Sequence, residues 1–178
     1  MKQIVRKGER FPSFNATNIH GANVSVPDQN QFILLQFRRF AGCPICNLHL
    51  QSFVRRHNEI RDAGVREVVI FHSGDDELLP FQGSFPFDII GDPEKRLYRQ
   101  YGVETSIFAI VNPAAWPAMI KGNLAKSKPS MKRIPKGGPL GLPADFLIAP
   151  DGNVLACQYG SHAYDQWSVD DLLNMVRR

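Results

Sequence analysis

Two cysteines stand three positions apart in the stretch FAGCPICNLHL, residues 40–50. Cys43 follows an apolar run, and Pro44 suits the first turn of a helix, where its missing N–H costs nothing. Unpaired N–H groups and the macrodipole at a helix N-terminus favour thiolate over thiol, so we expect the pKa of Cys43 to lie below its ordinary value of about 8.5. Cys46 lies one turn later on the same helix face, so the two sulfurs can bond without backbone rearrangement. The pair therefore supports dithiol chemistry, in which Cys43 attacks a disulfide or a peroxide and Cys46 resolves the adduct.

Two other interpretations of the pair remain open. It could be half of a zinc site, but tetrahedral zinc needs about four ligands and the sequence has no second Cys-x₂-Cys pair. The missing ligands would have to come from Cys157 and a histidine such as His49, His57 or His72. The pair could also be two inert buried thiols. Cys157 stands in the middle of a predicted strand and is interpreted as a core or half-buried thiol, with a resolving or regulatory role as the alternative.

Charged residues close to the cysteine pair could help to stabilise the Cys43 thiolate. Arg38 and Arg39 precede Cys43, but side chains alternate along a strand, so at most one of them can readily reach the sulfur. His49 is interpreted as a surface or packing histidine, and Asp145 as the entry residue of a later strand.

A polar cluster is predicted in the loop ahead of the last helix. His162, Asp165 and Trp167 stand close together there. We interpret them as a packed loop with a hydrogen-bonded histidine, and a role at the cysteine pair is the alternative.

The elements that must position the pair follow from the hydrophobic pattern. Residues 31–40 carry a nearly continuous apolar run, which is typical of a strand covered on both faces. Gly42 interrupts that strand, and apolar residues then recur at roughly helical spacing up to Gly64, which indicates a helix stop. Residues 65–73 predict a second buried strand. The pattern over 31–73 is therefore β-loop-α-β, a parallel unit with a right-handed crossover.

The remaining elements are predicted from turn and cap residues. They are a small hairpin over 11–28, a short helix and loop over 75–84, a short strand over 87–90, a helix over 93–102, two strands around 150–153 and a final helix N-capped by Ser168. A helix over 116–124, followed by a Lys/Pro/Gly-rich loop, is expected inside residues 105–141. The order predicts an α/β fold, with a central mixed sheet flanked by helices on both faces.

Composition bounds the class of protein. The chain of 178 residues is 43% hydrophobic and 21% charged, and we expect one domain over residues 1–178. No apolar run approaches the roughly 20 residues that span a bilayer, and the first residues lack an apolar signal region, so a cytoplasmic location is expected. Three cysteines are too few for a disulfide scaffold. In a reducing compartment a close pair is more often catalytic, redox-sensing or metal-binding than structural.

The net charge of +4 is unevenly distributed. No acidic residue lies between Glu104 and Asp145, whereas several basic residues do: Lys121, Lys126, Lys128, Lys132, Arg133 and Lys136. We interpret this segment as a solvated surface insertion, with an anion-binding or partner surface as the alternative. Aromatic residues do not alternate with the lysines, so nucleic acid binding is not expected.

The β-CPIC-α-β unit and the downstream stretch GLPADFLIAPDGNVLA resemble the thioredoxin superfamily, and in detail its peroxiredoxin-like branch, the AhpC/TSA family. The resemblance covers nearly the whole chain, including the hairpin FPSFNATNIHGANVSV, which resembles the N-terminal extension of those proteins. It implies a thioredoxin-like fold with an insertion before a cis-proline strand. It also implies a thiol-dependent oxidoreductase that uses the CPIC pair, for peroxiredoxin-like reduction of peroxides or for thiol–disulfide exchange.

The resemblance also assigns roles to residues. Cys43 matches the attacking cysteine, and Cys46 matches the resolving cysteine of thioredoxins. Pro143 matches the cis-proline beside the active cysteine, whose neighbouring backbone would pair with an extended disulfide substrate. The chain departs from peroxiredoxins at Phe40, where they have Thr or Ser, and at Gln36, where they have proline. Their active-site arginine has no counterpart, because its nearest match is Pro143 itself.

The partners implied are a peroxide or disulfide substrate and an external thiol reductant such as a thioredoxin or glutathione system, with a homodimer as one expected assembly. No glycine-rich dinucleotide fingerprint occurs, so no bound cofactor is expected, and no membrane partner is expected. The alternative function is a redox sensor or partner-binding module on the same fold with little turnover. A metal-binding or purely structural domain is the third hypothesis.

Overall fold

The fold is seen in a computed structural model that describes residues 3–103, 136–138 and 140–177. The strands are β1 (Phe14–Thr17), β2 (Asn23–Val26), β3 (Phe32–Arg38), β4 (Val65–Phe71), β5 (Asp88–Gly91), β6 (Ala144–Ile148) and β7 (Val154–Tyr159). The helices are α1 (Pro44–Asp62), α2 (Asp75–Gln82), α3 (Arg96–Gln100) and α4 (Val169–Val176). The helix predicted over 116–124 and most of the basic segment lie outside the described residues.

Five strands form the central sheet, in the order β5-β4-β3-β6-β7. β3, β4 and β5 are parallel, whereas β6 runs antiparallel to β3 and β7 antiparallel to β6. β1 and β2 form a separate antiparallel hairpin. The predicted mixed sheet and N-terminal hairpin are therefore confirmed, and the order is that of a thioredoxin-like fold. One domain over residues 1–178 stays a prediction.

Both faces of the sheet are covered by apolar side chains, which explains the continuous apolar run of β3. Leu34 belongs to a buried layer shared with α1 and α4, and Leu35 belongs to the opposite layer, shared with the hairpin and α3. Full burial of one such side chain contributes roughly 1.5–3 kcal/mol to folding. Because β3 is buried at the centre of the sheet, the position of its carboxyl end, where α1 begins, is fixed.

Helix α1 begins directly after Cys43, with Pro44 in its first turn, and Gly64 follows it with φ +77°. One residue inside the helix departs from helical geometry, since Arg56 has φ −109° and ψ 16° and divides α1 at a kink. The Arg56 guanidinium contacts Asp170 of α4 at 2.7 Å. The exposed face of the kink is thus tied to the C-terminal helix.

Helix α4 is capped as its sequence predicts. The Ser168 hydroxyl accepts the N–H of Asp171 at 3.1 Å, and the Asp171 carboxylate accepts the N–H of Ser168 at 2.9 Å. This reciprocal capping box satisfies two N–H groups that the helix end would otherwise leave unpaired.

A polar contact between Glu67 of β4 and His57 of α1 lies inside the helix–sheet interface. Glu67 is 1% exposed, and its Oε2 lies 2.6 Å from His57 Nδ1. Burial raises the pKa of Glu67 to about 8. Burial, together with nearby Arg61, lowers the pKa of His57 below its ordinary value. Both directions favour a neutral pair, in which the protonated carboxyl of Glu67 donates to an unprotonated nitrogen of His57.

As pH rises from about 6.5 to about 8, we expect the free energy of unfolding of the unmodified protein to fall. The variant Glu67→Gln should not show this fall. A carboxyl whose pKa is raised by folding stabilises the fold at low pH, and that contribution is lost as pH rises through the folded value. Below about pH 6.5 the lowered pKa of His57 acts in the opposite direction, because the unfolded state then binds more protons. Above that point Glu67 should lower the free energy of unfolding by up to about 1.4 kcal/mol per pH unit.

Urea unfolding at both ends of this pH window measures the effect as the difference between the unmodified protein and Glu67→Gln. The matched control is Glu94→Gln, because the Glu94 side chain is 68% exposed. Equal pH dependence in all three proteins would contradict the neutral pair.

Candidate active site

The two cysteines lie where β3 ends and α1 begins. Cys43 is the N-cap of α1 and is 0% exposed, and Cys46 is 1% exposed. Both are free thiols. The structure therefore brings the pair together inside the protein, at the carboxyl edge of the central sheet.

The surroundings of Cys43 favour its thiolate. Burial opposes ionisation, but the Cys46 thiol, the Arg39 guanidinium and the backbone N–H groups of Cys46 and Ile45 outweigh it, and together they lower the pKa of Cys43 to about 6. Burial and the negative charge of Cys43 raise the pKa of Cys46 well above its ordinary value. The surroundings therefore favour the thiolate form of Cys43 and the protonated form of Cys46.

Arg39 is the positive group at the sulfur. Its Nη1 lies 3.7 Å from Cys43 Sγ, and its Cζ lies 5.2 Å from the centre of the Phe40 ring. Arg39 is 5% exposed, so water screens this contact little. Strand alternation predicts that at most one of the two arginines reaches the sulfur, and this is confirmed, because Arg39 contacts Cys43 whereas Arg38 pairs with Asp145. The phenyl ring of Phe40 packs under this arginine instead of providing a hydroxyl.

We expect the variant Arg39→Gln to raise the pKa of Cys43 and to slow its reaction with peroxide by roughly 10- to 100-fold near neutral pH, because one preorganised positive donor is removed. Thiolate absorbance near 240 nm against pH measures the pKa, and stopped-flow mixing measures the rate. The matched control is Arg39→Lys, which keeps a charge and should lose less. An unchanged thiolate pKa in Arg39→Gln would contradict the assigned role.

Arg38 forms a buried ion pair with Asp145. Its Nη2 donates to Asp145 Oδ1 at 2.7 Å, and both side chains are fully buried. The other Asp145 oxygen accepts the N–H of Trp167 at 3.1 Å. Burial raises the pKa of Asp145, although Arg38 and the N–H of Trp167 act in the opposite direction. The pair joins β3, β6 and the loop before α4.

His49 completes this buried network. Its Nε2 lies 3.4 Å from Arg38 Nη2, and its ring packs 5.0 Å from that of Phe53. Burial, and then the charge of Arg38, keep the pKa of His49 well below its ordinary value. The packing interpretation is thus confirmed, and the histidine is a neutral member of the network.

The loop between β3 and Cys43 is held from neighbouring elements. The bonds are Tyr98 hydroxyl to the Arg38 carbonyl, His72 N–H to the Arg39 carbonyl, and Ala41 N–H to Ser73 Oγ. α3 and the end of β4 therefore determine where Arg39 stands. No sequence motif predicts these hydrogen bonds, because each of them depends on how strands and helices distant in the sequence pack together.

Pro143 lies immediately before β6 and lines a cavity of about 350 Å³ together with Leu142, Tyr159 and Ser161. The cysteines are not among the lining residues. Within the described residues the cis peptide bond joins Val26 and Pro27, and the bond before Pro143 is not cis. The cis geometry implied by the resemblance is therefore corrected to the trans form, which is the lower-energy state of an X–Pro bond.

The other predicted polar residues make their hydrogen bonds with groups other than the two thiols. Cys157 is half-buried on β7, and burial raises its pKa, as expected for an unreactive thiol. The Asp165 carboxylate accepts the N–H of Ser161 at 2.8 Å, and His162 accepts the N–H of Tyr164 at 3.3 Å, which confirms the hydrogen-bonded histidine. Trp167 packs against the core, whereas packing of the loop by Tyr164 is wrong, because Tyr164 is 43% exposed. Over the ranges 3–103, 136–138 and 140–177, no three histidine, cysteine or acidic side chains converge as a metal site would require.

The sheet order, together with a Cys-x₂-Cys pair at the start of α1, defines a thioredoxin-like protein with a dithiol. The AhpC/TSA family model matches residues 7–157. The chain belongs to the AhpC/TSA family, and it is accordingly an oxidoreductase.

Two solved structures show the same fold. A peroxidoxin BcpB from Mycobacterium tuberculosis is 16% identical, with a TM-score of 0.69 over 97% of this chain and 96% of the other. A reduced 2-Cys peroxiredoxin from Plasmodium vivax is 13% identical, with a TM-score of 0.69 over 97% of this chain and 81% of the other. No curated protein sequence matches. In the part of the chain that the structure describes, no helix has the length and apolar character needed to cross a membrane.

Proposed function

We propose that the protein is a dithiol peroxidase in which Cys43 is the nucleophile and Cys46 the resolving thiol. The observation that carries the proposal is the contact of 3.7 Å between Arg39 Nη1 and the buried Cys43 sulfur. It supplies a fixed positive group where peroxiredoxins use an arginine from elsewhere in the chain. We also propose that Pro143, which lines the cavity described above, contacts the substrate.

The proposed reaction has two steps. The Cys43 thiolate attacks one peroxide oxygen, the O–O bond breaks, and the released alkoxide or hydroxide takes a proton to leave as alcohol or water. Cys43 is then a sulfenic acid. The Cys46 sulfur attacks it, the S–O bond breaks, and the Cys46 proton leaves with the hydroxyl as water, so that a 43–46 disulfide remains. An external dithiol supplies the two electrons that restore both thiols.

The burial of both sulfurs limits the size of the substrates that can reach them. With Cys43 at 0% and Cys46 at 1% exposure, a small peroxide needs only a narrow opening, whereas a protein reductant needs the first turn of α1 to open. We therefore propose a small hydroperoxide as oxidant and a thioredoxin- or glutathione-type system as reductant. A cytoplasmic location and a homodimer belong to the same proposal.

Stopped-flow oxidation of the reduced protein by hydrogen peroxide tests the proposal, with peptide mass mapping of the product. The expected result is thiol loss far faster than that of a free thiol at the same pH, with one 43–46 disulfide formed per peroxide consumed. A rate equal to that of a free thiol would exclude the peroxidase.

A second candidate is thiol–disulfide exchange, which the Cys-x₂-Cys spacing at a helix N-terminus favours. In that case the reduced protein reacts slowly with peroxide but quickly with a small disulfide, and it ends with the same 43–46 bond. Slow reaction with both oxidants, together with an oxidation-dependent change in partner binding, would favour a redox sensor.

A further inference from the structure

Tyr98 of α3 carries a buried hydroxyl at the carboxyl ends of β3 and β4. The residue is 1% exposed, and its hydroxyl contacts the carbonyl of Ile70 at 2.9 Å and the carbonyl of Arg38. A hydroxyl has one proton, so the two carbonyls share it in a three-centre bond. The carbonyls belong to neighbouring strands, since Ile70 pairs with Phe37, the residue before Arg38. The hydroxyl therefore bridges β3 and β4 at the point where both strands end.

The position of this hydroxyl is fixed by packing and by the start of α3. The Tyr98 ring lies edge-on to the Phe37 ring, with 5.0 Å between the ring centres. The Asp92 carboxylate accepts the N–H of Leu97 at 2.8 Å, and the Asp92 N–H donates to the carbonyl of Phe71 at 2.7 Å. Asp92 thus joins the first turn of α3 to the end of β4, and the hydroxyl has little freedom to move relative to the sheet.

The hydroxyl remains a neutral donor. Burial, and then the charges of Asp92 and Cys46, raise the pKa of Tyr98 well above its ordinary value. Tyr98 therefore keeps its proton over the range in which Cys43 ionises, and the two carbonyls keep their donor.

The peptide between Arg38 and Arg39 links this hydroxyl to the two thiols. The peptide is trans and planar, so the carbonyl of Arg38 and the N–H of Arg39 point in opposite directions. Tyr98 binds the carbonyl, and the N–H acts on Cys46. Burial and Cys43 raise the pKa of Cys46, whereas the charge and the backbone N–H of Arg39 act in the opposite direction. One peptide plane is thus held at its oxygen by Tyr98 and presents its N–H to the second thiol.

The side chain that follows this peptide carries the positive charge of the site. Arg39 Nη1 lies 3.7 Å from Cys43 Sγ, and the Arg39 carbonyl accepts the N–H of His72 at 3.0 Å. A rotation of the preceding peptide would turn the Cα–Cβ bond of Arg39 and move its guanidinium relative to the sulfur. The attraction between opposite charges weakens as their separation grows, so such a rotation would reduce the stabilisation of the thiolate.

We propose that Tyr98 is a positioning residue of the dithiol site. Its hydroxyl orients the peptide between Arg38 and Arg39, and this peptide in turn directs its N–H at one thiol and the Arg39 guanidinium at the other. The inference rests on the proposed function only in taking Cys43 as the nucleophile.

The variant Tyr98→Phe tests this, because it removes the hydroxyl and keeps the ring contacts with Phe37 and His72. The rate of Cys43 alkylation by iodoacetamide against pH, with peptide mass mapping, gives the midpoint at which this thiol ionises. In Tyr98→Phe the midpoint should rise by about one pH unit, which is a tenfold loss in the ionisation constant. The amide hydrogen of Arg39 should also exchange faster with solvent in this variant, as measured by NMR.

Tyr101→Phe is the matched control. Tyr101 follows the last residue of the same helix and packs in the same apolar layer, and its hydroxyl donates to the carbonyl of Pro12 at 2.8 Å. Both variants lose a hydroxyl that donates to the backbone, so their midpoints of thermal unfolding should fall by comparable amounts. The ionisation of Cys43 and the exchange of the Arg39 amide should change in Tyr98→Phe and stay unchanged in Tyr101→Phe.

A double-mutant cycle shows whether Tyr98 acts through Arg39. In the background of Arg39→Gln, the further change Tyr98→Phe should move the Cys43 midpoint by much less than one pH unit, because no guanidinium is left to position. An equal shift in both backgrounds, or an unmoved midpoint in Tyr98→Phe, would overturn the inference. Alkylation does not require peroxide, so slow peroxide reduction by the unmodified protein would contradict the proposed function and leave this inference standing.

Discussion

Replacing Cys43 by serine is expected to lower the rate constant for peroxide reduction by on the order of 10³-fold or more. A serine hydroxyl does not ionise near neutral pH. The variant therefore has no anion for Arg39 and the N–H groups of Ile45 and Cys46 to stabilise. The measurement is peroxide consumption with a dithiol reductant, compared with the single-turnover rate of the reduced protein.

The other two cysteines provide matched controls. Cys46→Ser should react once at a rate within about tenfold of the unmodified protein and then stop as a sulfenic acid, which a dione reagent traps. Cys157→Ser should keep full turnover, because Cys157 is a half-buried thiol on another strand. Peroxide reduction that survives in Cys43→Ser but not in Cys157→Ser would reverse the assignment of the nucleophile.

The variant Asp145→Asn should produce the largest loss of stability. It leaves the guanidinium of Arg38 buried without a counter-charge, and breaking a buried pair in this way costs about 3–5 kcal/mol. For a domain of this size the midpoint of thermal unfolding should fall by roughly 10 °C. Differential scanning calorimetry and urea unfolding of the reduced protein measure both quantities.

Two further proteins make the comparison specific. In Arg38→Met/Asp145→Leu neither charge remains, and the double variant should be more stable than Asp145→Asn, because no unpaired charge is buried. Asp62→Asn is the surface control, since the Asp62 side chain is 69% exposed, and it should change stability by less than about 0.5 kcal/mol. A loss in Asp145→Asn no larger than in Asp62→Asn would show that the buried pair is not a determinant of stability.

Most of the fold could be predicted because its determinants are local in the sequence. Strand β3 is covered on both faces and carries a continuous apolar run, Gly64 ends α1, and Ser168 caps α4. The predicted boundaries differ from those observed by a few residues, as at the end of β4, because terminal residues depend on neighbouring elements. The helix predicted over 93–102 begins only at Arg96, because the Asp92 carboxylate accepts the N–H groups of Arg96 and Leu97 and fixes the first turn there.

The site was only partly predictable, for a physical reason. The spacing of Cys43 and Cys46 suggests a dithiol, and strand alternation limits which arginine reaches it. Asp145 appears in the sequence as a strand-entry residue, because its partner Arg38 lies 107 positions away and only the pairing of β3 with β6 brings them together. The sequence shows Asp145 as a charged residue inside an otherwise apolar strand. This pattern indicates a buried ion pair, but it does not identify the partner of Asp145.

The kink at Arg56 gives α1 two mechanically distinct halves. The front half begins at Cys43 and carries Cys46, and the rear half contacts β4 through His57 and α4 through Arg56. A break in helical geometry lets one segment tilt or unwind without moving the other. If the proposed 43–46 disulfide forms, we expect the break at Arg56 to absorb the resulting strain, so that the front half of α1 moves and the central sheet keeps its register.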